Sequence, residues 1–158
     1  VNVLERAMRD RFLPEYERVH DVTVHRGNLA SYVPRYEEAM RAVDPRTGRV
    51  MVEAPEDVPY TTFHWYDDDV SVEYRRPLAA DEFPYLWDVL ASRLRQLSEW
   101  SAFLETATPS DVVRSQYPTE DIRAMAWFLG VPGGVEEEVP RVAAAIKLCR
   151  RVRELTSA

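Results

Sequence analysis

Apolar positions change period several times along this chain, and each change marks a new element. Leu4, Ala7, Met8 and Phe12 recur at helical spacing, which predicts a first helix that Pro14 ends or kinks, because proline lacks an amide donor and crowds the preceding turn. Val22 and Val24 alternate with Thr23 and His25 before Gly27, the pattern of a short strand. Leu29, Tyr32, Val33, Tyr36, Met40 and Val43 then share one helical face, with Pro34 in the first turn, where its missing N–H costs little.

Asp44, Pro45, Arg46, Thr47 and Gly48 form a strong turn signal, with proline fixing φ early and glycine accepting positive φ late. Strands are expected next. The run from Arg49 to Glu53 is rich in valine. From Tyr60 to Tyr66, Thr61, Phe63 and Trp65 alternate against Thr62, His64 and Tyr66, and Val70, Val72 and Tyr74 alternate in the following run. Asp67, Asp68 and Asp69 supply the hairpin tip, since aspartate tolerates turn conformations and resists burial.

A long helix is expected from Asp81, its cap, to Thr106. Phe83, Trp87, Leu90, Leu94, Leu97 and Leu104 follow steps of four and three, interrupted at Ser101. Leu86, Val89, Trp100 and Phe103 form a second apolar line, which makes the stripe wider than one packing partner needs. These four residues are therefore the candidate interface. Shorter helices follow over Pro109 to Ser115 and Thr119 to Leu129, with Gly130 as the residue just past a helix end and Pro132, Gly133 and Gly134 as a loop. In the last helix, Val139, Val142, Ile146, Cys149, Val152 and Leu155 line one side. Glu136, Glu137 and Glu138 stand at its start and Arg150, Arg151 and Arg153 near its end, the order the helix dipole favours.

Together these patterns predict an α+β fold: N-terminal helices, a small antiparallel β-meander of three or four strands packed by the long helix, and a C-terminal helical cap. With 158 residues and no long linker, the chain reads as a single domain over 1–158. Residues 108–158 are a helical subdomain that is not independent.

Charge narrows the partners. The formal net charge is −7, so no general attraction to phosphate backbones or anionic membranes is expected. Lys147 is the only lysine among 20 basic residues. One cysteine excludes an internal disulfide, and no Cys/His set has zinc-ligand spacing. The first residues lack the apolar stretch of a signal peptide and no apolar run approaches ~20 residues, so the expectation is a cytoplasmic protein without a membrane segment.

Candidate chemistry is sparse. His64 with Asp67, Asp68 and Asp69 lacks the spaced ligands, glycine and distal glutamate of a calcium loop. Asp69 and Glu73 before Arg75 would lie on one strand, whereas a magnesium-dependent nuclease needs acids on neighbouring strands. His20 and His25 have no serine or cysteine nucleophile in a G-x-S-x-G turn, and Cys149 sits on an apolar helix face. Trp65, Trp87, Trp100 and Trp127 all fall on predicted apolar faces, which favours core packing over a stacking platform.

From Pro118 to Ile146, PTEDIRAMAWFLGVPGGVEEEVPRVAAAI resembles the helix-loop-helix of SAP-like modules, small elements often associated with DNA binding. The resemblance implies a nucleic-acid accessory role through Arg141, Lys147, Arg150, Arg151 and Arg153. Such modules usually carry lysines around the second glycine, where this chain carries Glu136, Glu137 and Glu138. The leading expectation is a non-enzymatic interaction or assembly component that binds a protein partner or itself, without catalytic residues, cofactor or metal.

Overall fold

A computed structural model describes residues 2–26, 62–67, 69–74, 78–131 and 135–157, excluding the side chains of 62–65. Its elements are α1 (Val3–His20), β1 (Thr23–Arg26), β2 (Thr62–Asp67), β3 (Val70–Tyr74), α2 (Glu82–Leu104), α3 (Pro109–Arg114), α4 (Thr119–Phe128) and α5 (Arg141–Thr156). Helices and an antiparallel sheet share the chain, as the α+β pattern predicts. The helix and strand expected over Leu29 to Val43 and Arg49 to Glu53 lie outside the described residues.

The chain divides into two compact units, one of Val1–Leu13 with Ser92–Ala158 and one of Pro14–Ala91. Both α1 and α2 contribute residues to each.

The helix α1 does not stop at Pro14 but runs on to His20. Proline removes one intrahelical bond, yet Pro14 is exposed, while Leu4, Met8, Phe12, Leu13 and Tyr16 are buried on both sides of it. Packing of that stripe outweighs the missing bond. Asn2 opens the helix, its side-chain oxygen accepting from the Glu5 amide at 2.7 Å. Glu5 and Arg9, one turn apart, are themselves buried and paired at 3.7 Å.

In the sheet-bearing unit, Asp21 at φ 53° ends α1 in the left-handed region. Glu17 then accepts from the Val24 amide at 2.8 Å, which ties β1 to the helix. The strand order is β1-β3-β2, with both pairings antiparallel. The expected hairpin is present, and the short Val22 to His25 run supplies the strand on the far side of β3. Asp67 explains the acidic tip: its Oδ1 accepts from the amides of Asp69 and Val70 at 2.9 and 3.0 Å. Along β3 both faces are buried. Tyr16 donates to the Leu86 carbonyl at 3.0 Å, beside the buried Tyr74. Burial and Tyr74 together push the Tyr16 phenol up, so it stays protonated. The rings of Tyr66 and Trp87 meet at 6.2 Å, placing the start of α2 against the sheet.

In the helical unit, Leu94, Leu97, Trp100 and Leu104 of α2 are buried. Ser101, which interrupts the apolar series, is buried too and returns its hydroxyl to the Ser98 carbonyl at 3.0 Å. Phe128 gathers the aromatic core, with Phe12 at 6.4 Å, Trp100 at 6.1 Å and Trp127 at 5.0 Å. Thr108 and Asp111 form a reciprocal capping box on α3. Gly130, at φ +72°, ends α4 as expected, with the Val131 amide reaching back to the Ala126 carbonyl at 3.0 Å.

Candidate functional site: the outward face of the last helix

Pro140, in extended conformation, starts α5, so Glu136, Glu137 and Glu138 precede the helix instead of forming its first turn. Ala144, Ala145, Leu148, Cys149 and Val152 are buried. Val142 and Ile146, expected on that same side, are 55% and 41% exposed. The sequence offers two apolar lines about one residue apart in rotation, and the inward choice has a physical reason. Two alanines let α5 approach α3 and α4 closely, and this rotation turns Arg141 and Arg151 toward backbone that needs donors.

Arg141 donates to the Val113 carbonyl at 2.9 Å, the Ser115 carbonyl at 3.0 Å, the Val112 carbonyl at 3.3 Å and Thr119 Oγ1 at 3.2 Å. One guanidinium thereby satisfies the end of α3 and the start of α4. Arg151 donates to the Leu129 carbonyl at 2.8 Å and pairs with Glu154 at 3.1 Å, closing the end of α4. Both cations are thus occupied inside the unit. Lys147, Arg150 and Arg153 remain exposed and form no ion pair among the described residues.

Spacing of four, eight and eleven residues puts Val142, Ile146, Arg150 and Arg153 on one helical face. Lys147 flanks it. Immediately before the helix stand the exposed Glu136, Glu137 and Glu138. The Glu138 carboxyl is held below the usual range, first by its own backbone amide, then by Glu136, with Arg123 adding to the effect. Arg123 of α4 donates to the Glu137 and Val139 carbonyls, which holds this acidic run beside α4.

The apolar line proposed on α2 is largely consumed within the chain. Leu86 and Trp100 are buried, and Val89 and Phe103 are half-buried, with Phe103 packed on Tyr117 at 5.3 Å. The excess width of that stripe reflects two rows of internal neighbours, so a docking surface must use other side chains. Among the tryptophans, Trp100 is buried and Trp87 packs on Phe83 at 6.0 Å, but Trp127 is 39% exposed with the Arg11 guanidinium 4.4 Å from its ring centre. The Trp65 side chain lies outside the described residues.

Cys149 is buried, with Sγ 3.9 Å from the Ala107 carbonyl, and burial pushes its thiol up, against the pull of Arg153. It is a packing residue, since a reactive cysteine needs its thiolate.

Sequence reading missed a polar pair in the sheet. His25 Nε2 lies 2.6 Å from Glu73 Oε2, and Glu73 is wholly buried. His25 stands opposite Ser71 in the β1–β3 register. Ser71 is also wholly buried, and its hydroxyl has no hydrogen-bond partner among the described residues. Serine, histidine and glutamate are the residue types of acyl transfer, but the contact between nucleophile and base is missing. The signal for the pair was latent in the alternation of β1 and β3, and became readable only with their register. His20 lies 4.7 Å from the Tyr16 ring and 6.1 Å from Tyr85.

Among the described residues no group of three or more histidines, cysteines and acids is placed to hold a metal ion, and no helix is long and apolar enough to cross a membrane. Comparison with known protein families, curated proteins and solved structures finds no match to this chain.

Proposed function

We propose that this chain is a non-enzymatic interaction component, an adaptor or assembly subunit that docks a protein partner on the outward face of α5. The observation that carries this reading is the exposure of Val142 and Ile146 beside Lys147, Arg150 and Arg153 on a helix whose other face builds the core. Two adjoining aliphatic side chains left in water beside unpaired cations suit a partially apolar contact with a charged rim. A single buried, free cysteine fits a reducing cytoplasmic setting.

The alternative, a nucleic-acid accessory role for α4 and α5, loses two of its five candidate cations, because Arg141 and Arg151 are committed to backbone carbonyls. Three cations beside Glu154, in a chain of net charge −7, make a weak electrostatic footprint.

A photo-crosslinking amino acid at Ile146, compared in the producing cell with one at the exposed Gln116 of the same unit, tests the docking reading. A discrete adduct at 146 and none at 116 is expected. Equal labelling at both positions, or none at 146, overturns the reading.

A further inference from the structure

We draw no further inference here: the strongest candidate, the exposed apolar patch of Val142 and Ile146 on the outward face of α5, belongs to the site already described, and nothing in the structure shows what covers it.

Discussion

In the helical unit, Arg141 and Arg151 enter between helices and end on carbonyls that the helix ends leave open. In the sheet unit, β3 carries the Ser71 hydroxyl and the Glu73 carboxylate into the interior, and of these two the carboxylate finds a described partner, His25. The contrast follows from backbone geometry. Short helices expose unsatisfied carbonyls at each end, and a forked cation answers several at once. A central strand has already spent its backbone groups on two neighbours, so a buried polar side chain there must find its own partner. Polar burial therefore positions elements in one unit and has to be accommodated in the other.

The largest test of this contrast removes apolar packing from the helical unit. Trp100 is 1% exposed and its ring lies 6.1 Å from that of Phe128. Trp100→Ala should cost about 3–5 kcal/mol, read as a lowered urea midpoint by circular dichroism. A loss below about 1 kcal/mol would mean that the aromatic cluster is not what holds these helices.

Arg141→Ala comes next. It strands the carbonyls of Val113 and Ser115, and should cost about 2–4 kcal/mol by the same measurement. Arg141→Lys should recover less than half of that, because an ammonium cannot fork toward acceptors on two helices. Full recovery by lysine would show that the site needs only a charge, and would erase the distinction drawn between the units. Lys147→Ala, on the exposed face of the same helix, should stay within about 0.5 kcal/mol.

Where signals were local, the fold was legible in the sequence. Gly130 requires positive φ, and Pro109 and Thr119 mark helix starts, so α3 and α4 fall within a residue or so of their expected bounds. The rotation of α5 was not legible, since Val142–Ile146 and Ala144–Leu148 are equally periodic. The choice depends on Arg141 reaching carbonyls 26 to 29 positions away. Pro14 misled because its cost is local while the packing that overrides it is not. The neighbour of β3 on its far side is about 45 residues distant, beyond the reach of pattern or turn chemistry. Of the candidate site, the basic end and the acidic start were visible. The aliphatic pair between them was assigned to the core, because exposure is decided by tertiary contacts.

The smallest effect is also the sharpest for the comparison. Ser71 is wholly buried on β3 with an unsatisfied hydroxyl among the described residues. Ser71→Ala deletes that hydroxyl and leaves a methyl group of similar size, so no sizeable cavity forms. A buried hydroxyl without a partner carries a desolvation cost of about 1–3 kcal/mol, part of which the substitution recovers. Stability should therefore rise, by less than about 1 kcal/mol, in the same urea titration. A loss of 1 kcal/mol or more would mean that the hydroxyl is engaged in solution. The buried hydroxyl of the sheet would then be answered as Arg141 and Arg151 answer the helix ends, and the His25–Glu73–Ser71 arrangement would have to be weighed again as a site.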